Sequence, residues 1–394
     1  WQAVETGSTM TAVAGNGYPI DTSSNACTIT LPSSASLGDQ IIFTDYARTW
    51  GTNGIILDSN GLNYQGDDDT FDVEYGTDGQ AVRIVYSGAT NGWIPTFDKA
   101  VTDVPDKGNT EGIFGFGYAT LSMTNLVSNA GVVSSDVTGV GTGRGILAAC
   151  EYGGDKGIFA YGATGPTTSS VISMSNLVSN AGVVATDVTG VGTARRGSAA
   201  CSYGEDKGIF GYGEISGGNV SMTNLVSNAG VVGTDVTGVG TVRRYPAACE
   251  YGEDKGIFGY GDGGGGGVVY SMTNLVSNAG VVATDTTGVG TARGYLGATQ
   301  YGGDKCIFGY GYDGSAVSMT NLVSNAGVVA SDVTGVGTAR HILAATQYGG
   351  DKGIFGYGAG PVSITNLVSN AGVVATDTTG VGTARSAIAA CSFN

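Results

Sequence analysis

Histidine is almost missing from this chain of 394 residues; His341 is the only one. A histidine-based metal cage or catalytic dyad is therefore not expected. No apolar run approaches the ~20 residues needed to cross a bilayer, and no secretory leader is recognisable. Cationic side chains are scarce: 17 Lys and Arg face 33 Asp and Glu, for a net charge of −16. Such a surface opposes nucleic-acid backbones and anionic lipids. Without a basic stripe among aromatics, neither a nucleic-acid partner nor membrane insertion is expected. Proline is also rare, at 7, and charged residues make up only 13%. What is abundant is glycine, with 71 copies. That composition reads as many short strands joined by turns. Because the chain starts at Trp1 rather than Met, it is expected to be a fragment, a processed product or the ordered part of something longer.

Charge divides the chain. Residues 1–104 hold 13 acids and 3 bases, net −10, while the remainder holds 20 acids and 14 bases, net −6. From about Gly112 onward a segment of roughly 48 residues occurs six times, the length of one supersecondary module. Its hallmark Gly-Ile-Phe-Gly-Tyr-Gly stands, with small changes, at Gly112–Gly117, Gly157–Gly162, Gly208–Gly213, Gly256–Gly261, Cys306–Gly311 and Gly353–Gly358. Each unit divides into four strand-like stretches, for example Leu147–Tyr152, Gly157–Gly162, Ser173–Ser179 and Val183–Val188. Gly-Asp-Lys-Gly and Asn-Ala-Gly supply the tight turns between them. In the second stretch, Phe159 and Tyr161 are expected on one face and Ile158, Ala160 and Gly162 on the other.

Four antiparallel strands per unit predict a β-propeller blade. The first copy lacks its first strand, and the chain ends on a surplus one, Ile388–Phe393. A ring in which that last strand completes the first blade leaves no long edge open. The expected fold is all-β: a small β-sandwich over residues 1–104, then a six-bladed β-propeller over residues 105–394, closed by the C-terminal strand. Asp98–Glu111 reads as the linker.

The order Arg, variable pair, Ala-Ala-x-x-Tyr-Gly-x-Asp-Lys-Gly-Ile-Phe-Gly-Tyr-Gly, loop, Asn-Leu-Val-Ser-Asn, then Gly-Thr-Ala-Arg resembles a Kelch repeat over about three-quarters of the chain. Here Gly-Tyr-Gly stands for the Kelch double glycine, and valines (Val133, Val184 and equivalents) for the tryptophan of the fourth strand. In the first domain, Ala14-Gly15-Asn16-Gly17-Tyr18, Ile29-Thr30-Leu31-Pro32, Gly38-Asp39, Thr52-Asn53-Gly54, Val85-Tyr86 and Gly92-Trp93 resemble a β-domain of marine bacteriophage tail-fibre and other virion structural proteins. That resemblance implies a virion localisation, with residues 1–104 attached to other virion proteins.

Repetition argues against an enzyme, because most acids of the repeats recur in every copy and a single active site would break that symmetry. No catalytic residue, metal or cofactor is expected. Asp155-Lys156 and its copies read as hairpin turns. Cys150, Cys201, Cys249 and Cys391 occupy one equivalent place, filled by Thr299 and Thr346 in the other copies. They read as buried thiols, not a disulfide framework, in keeping with folding in a reducing compartment. Arg144, Arg195, Arg243, Arg293, Arg340 and Arg385 read mainly as a structural ring paired with carbonyls or with Asp136 and its equivalents. The alternative is a basic collar at the channel mouth for an acidic sugar. Asp67-Asp68-Asp69 reads as a solvated turn rather than a calcium site.

The copies disagree in two places: the loop between second and third strands, and the residues after each arginine. In an up-and-down blade both emerge on the same face, while the uniform turns emerge on the other. Binding residues usually ride on such loops. Tyr245, Tyr295, His341, Tyr270 and Tyr312 are therefore the candidates for contact with a host-surface glycan or protein. The resulting expectation is a non-catalytic virion appendage, a tail fibre or similar, with a homo-oligomer left open. An architectural decoration protein is the second expectation and a depolymerase the third.

Overall fold

A computed structural model describes residues 1–67, 73–97, 110–118, 120–265 and 267–393. The expected linker lies largely outside these residues, as do Asp68 and Asp69 of the acidic triplet. The described chain is all-β and divides into two compact units, Trp1–Lys107 and Gly108–Asn394. No described helix is long and apolar enough to cross a membrane.

The described residues of the first unit hold eight strands: β1 (Thr9–Thr11), β2 (Gly17–Ile20), β3 (Cys27–Thr30), β4 (Gln40–Asp45), β5 (Ile55–Asp58), β6 (Val73–Tyr75), β7 (Ala81–Tyr86) and β8 (Trp93–Phe97). They form two four-stranded sheets, ordered β1-β3-β5-β6 and β2-β4-β7-β8. Alternation along β3, β4, β5 and β7 sends every second side chain inward. Ile29, Ile41, Phe43, Leu57, Ile84 and Trp93 are fully buried in one core. Two of these strands carry little signal in the sequence. β1 is largely exposed, so it carries no apolar alternation. β2 contains Pro19, which weakens any strand signal.

The described residues of the second unit form six three-stranded antiparallel sheets of one pattern. In the third module an inner strand Ala199–Tyr203 pairs with a middle strand Lys207–Ile215, which pairs with an outer strand Gly218–Val226. The fourth stretch is not a regular strand, contrary to the reading of four strands per unit. In the second module it touches the sheet at two isolated bridges, Ser175–Val188 and Val178–Val184. Between the two bridges the Asn176 side-chain amide donates to the Ala185 carbonyl and to Asp187 (3.0 and 2.9 Å), so a side chain takes a carbonyl that a backbone amide would pair in a regular ladder.

In the first module the sequence-terminal strand Ala389–Ser392 pairs with Gly112–Gly117, in register Ala389–Gly115 to Ser392–Gly112. The six inner strands line one cavity of about 120 Å³ with Ala148, Ala199, Ala247, Gly297, Ala344, Ala389 and their neighbours. Small residues recur there because six backbones converge.

The middle strand corrects the expected facing of its aromatics. Tyr161 and its equivalents have φ near +63°, and the ladder shifts register at this residue in the later modules. That kink turns Tyr161 away from the side of Phe159. Phe159 packs against Phe116 of the preceding module, with centroids 5.1 Å apart. Tyr161 packs against Phe210 of the following one at 5.4 Å. The ring of Phe159 fills the space a Cβ on Gly115 would need, 2.7 Å away, and the same fit recurs between Phe258 and Gly211. Four modules thus present a glycine and a tyrosine to their neighbour's phenylalanine, while the first has Phe116 in place of the tyrosine and the second Ala160 in place of the glycine.

Candidate functional site

The residues that follow each repeat arginine meet around the cavity's end. Ile146, Gly197, Tyr245, Tyr295, Ile342 and Ala387 all have φ between +50° and +62°. In that left-handed turn each amide donates to the carbonyl of the preceding module's equivalent residue. Gly197 donates to Ile146, Tyr245 to Gly197, Tyr295 to Tyr245, Ile342 to Tyr295, Ala387 to Ile342, and Ile146 to Ala387, at 2.7–3.1 Å. Six hydrogen bonds return to their starting residue. Five of the six positions are not glycine, so the circle offsets the strain that φ > 0 imposes on a branched side chain.

On this circle sit the aromatics. Tyr245 and Tyr295 stack, with centroids 4.1 Å apart and planes 25° from parallel. His341 meets Tyr295 edge-on at 6.2 Å, and Tyr312 tilts against His341 at 5.1 Å. Four of the five candidate contact residues therefore form one continuous row drawn from neighbouring modules. Tyr270 does not join them; its ring lies over Gly263 of its own hairpin. Tyr245, Tyr295 and His341 are half-buried, while Tyr312 is exposed. Burial lowers the His341 pKa below its usual value. Burial and the neighbouring Asp262 raise that of Tyr295.

A polar ladder, absent from the sequence reading, shares Tyr295 with this row. Arg196 donates to the Pro166 carbonyl and to Glu214 (2.6 and 2.9 Å). Glu214 also holds Arg244 at 2.5 Å. Arg244 reaches Asp262 at 3.3 Å, and Asp262 accepts from the Tyr295 hydroxyl at 2.7 Å. The signal was available: Arg196, Arg244, Glu214 and Asp262 all lie at positions where the copies differ.

The six repeat arginines are elsewhere. None is more than 2% exposed, and none lines the central cavity. Arg385 donates to the Phe116 carbonyl (2.9 Å) and Asn125 (2.6 Å) of the first module. Its guanidinium lies over Tyr357 of the last, 4.5 Å from the ring centroid. Arg195 and Arg243 make the matching bonds to Asn224 and Asn274 and stack on Tyr161 and Tyr212. A buried guanidinium cannot serve as a collar for an acidic sugar, so that alternative falls. Beside each arginine an inter-module clamp forms: Thr383 donates its amide and hydroxyl to Asp136 across 247 residues. Burial works to raise the Asp136 pKa, but the bonds from Thr383 and Asn125 and the Arg385 charge hold it below the usual value.

Behind the circle, the inner strands end in a second cavity of about 50 Å³. Glu151, Ser202, Glu250, Gln300, Gln347 and Ser392 occupy one equivalent position there. Burial, then the charge of Glu151, pushes the Glu250 pKa up to about 8. Ser392 donates to Glu151 at 2.7 Å. Among the described residues no group of three or more His, Cys, Asp or Glu is placed to hold a metal.

The cysteines require a correction. Cys249 forms a disulfide with Cys306, 57 residues on, with Cα atoms 6.3 Å apart. The bridge does not join equivalent positions. Cys306 replaces the first glycine of the hallmark, and that glycine faces the preceding module's thiol: a Cβ on Gly208 would sit 2.6 Å from Cys150 Sγ. Cys27, Cys150, Cys201 and Cys391 are buried free thiols. The five Asp-Lys pairs form turn ion pairs.

Compared with known proteins, the chain matches no family model, and no curated protein matches it.

Proposed function

We propose that the second unit is a closed six-bladed propeller whose individual face binds a host-surface receptor, glycan or protein, without catalysis. In this reading the chain is a virion appendage of the tail-fibre kind. The first unit would attach to other virion proteins. Three features support closure: the terminal strand's pairing with the first module, the Thr383 and Arg385 bonds to it, and the circle of six amides. One observation carries the binding reading: the aromatic row of Tyr245, Tyr295, His341 and Tyr312 gathers on the face where the copies differ. Aromatic side chains supply large contact area at low entropy cost. The virion setting rests on the likeness of the first domain to phage β-domains.

The test is adsorption. Replacing Tyr245 and Tyr295 by alanine is expected to weaken attachment of the chain or its parent particle to host cells, with native strand content retained by circular dichroism. Unchanged adsorption would remove the face assignment.

A second reading, an architectural decoration protein, is favoured by a different observation. Val132, Val183, Val231, Val281, Val328 and Val373 are each 64–65% exposed at one equivalent position. Repeated apolar exposure suits packing on neighbouring subunits. A map of the parent particle showing the aromatic row buried against another subunit would favour this reading.

A further inference from the structure

Every described lysine and arginine of the second unit is already within ion-pair distance of a carboxylate. The six repeat arginines face Asp136, Asp187, Asp235, Asp285, Asp332 and Asp377. The lysines face their preceding aspartates. On the individual face, Arg196 and Arg244 are spanned by Glu214 and Asp262, two guanidiniums against two carboxylates. The ladder is therefore locally neutral inside a chain of net charge −16.

Charge complementarity follows from that pairing. A sulfated, phosphorylated or uronate-bearing ligand would find no unengaged cation here. It would also approach against the field of the whole chain. A protein partner is poorly served as well. Stable interfaces bury roughly 800 Å² per side around an apolar core. Yet among the exposed large hydrophobic residues, only Tyr118, Val268 and Tyr312 come from the variable loops. What the face does offer is a row of ring surfaces, with Tyr312 38% exposed at its edge. Beside it runs a line of paired polar groups 12–23% exposed. A pyranose has the matching surface: a C–H face for an aromatic ring and uncharged hydroxyls that both donate and accept.

We propose that the individual face takes a neutral saccharide, stacked on Tyr312 and His341 and hydrogen-bonded along the Arg196–Glu214–Arg244–Asp262 ladder. This rests on the receptor-binding reading above and narrows it to one ligand class. Paired carboxylates and guanidiniums, already oriented by each other, present fixed acceptors and donors to hydroxyls with little ordering cost. Binding is then governed by shape and stacking, so salt has little leverage on it.

The test is a panel of immobilised oligosaccharides in two sets, neutral hexose- and N-acetylhexosamine-terminated chains and uronate-, sulfate- or sialate-bearing ones, probed with the whole chain. Binding is expected in the neutral set alone and unchanged by added salt. It should weaken about 10-fold or more in Tyr312→Ala, a change at an exposed ring, and be kept in Tyr312→Trp. Capture confined to the acidic set, or neutral capture indifferent to Tyr312→Ala, overturns the proposal. A parallel arm uses intact bacterial cells treated with periodate, which destroys sugar diols, or with protease. Attachment that survives periodate but not protease overturns the saccharide while leaving a receptor in place. Failure to bind any cell or any sugar overturns both readings.

Discussion

Replacing Glu250 by glutamine isolates one buried charge. Glu250 is held in the narrow cavity at the end of the inner strands, with Glu151 as a like-charged neighbour. Its folded pKa of about 8 lies above the ordinary 4.5. Below the unfolded pKa the carboxyl is protonated in both states, and it costs nothing. As pH rises from about 4.5 to 8, the unfolded chain gives up the proton while the folded chain keeps it, so stability falls. Above about 8 the folded carboxylate is charged and the loss is complete. At ~1.4 kcal/mol per pKa unit the ceiling is about 5 kcal/mol. Glu250 is only partly shielded from solvent, which reduces this, and about 2–4 kcal/mol is expected. Glutamine fits, because Gln300 and Gln347 occupy the equivalent position in two other modules. Thermal melts of parent and Glu250→Gln across pH are the assay. The two should coincide near pH 4 and diverge to a plateau above about pH 8, the variant melting several degrees higher. A gain independent of pH, or no gain at the alkaline end, would refute the buried-charge argument.

Two further outcomes follow from the module interfaces. Cys306→Gly restores the residue that the other copies carry and removes the Cys249–Cys306 link. Closing a loop of that length is worth about 4 kcal/mol in chain entropy, so the variant should melt lower. It should also lose the dependence on reductant expected of the parent; a parent indifferent to reductant would count against the bridge. Deleting 389–393 strips the strand paired with Gly112–Gly117 and exposes that edge. A lower melting temperature and concentration-dependent association by light scattering are expected, and an unaltered, monomeric variant would contradict the closure reading.

Much of the unit was legible in the sequence because it is written six times. The phase of the copies pointed the surplus Ala389–Phe393 segment at the first module, where the structure pairs it with Gly112–Gly117. The disagreement between copies pointed to the loops that carry Tyr245, Tyr295, His341 and Tyr312. The ladder of Arg196, Glu214, Arg244 and Asp262 lay in the same positions but was not recognised as one network. Its partners are 18 to 33 residues apart in sequence, and the Glu214–Arg244 and Asp262–Tyr295 links cross from one module to the next. Alternation misplaced Tyr161 because period-two reasoning assumes an unbroken strand, and a residue at φ +63° breaks it.

The amino-acid sequence by itself determined the all-β character, the repeat, the two-part organisation and the positions where the copies differ. These depend on local composition and on identity between copies. Only the tertiary structure decided that the repeat arginines are buried, that Cys306 finds Cys249, and that six amides close a circle beneath the tyrosines. Those outcomes depend on which side chain of one module faces which backbone of the next. That geometry is set by the packing of phenylalanine on glycine across the sheets and has no signature in any single copy.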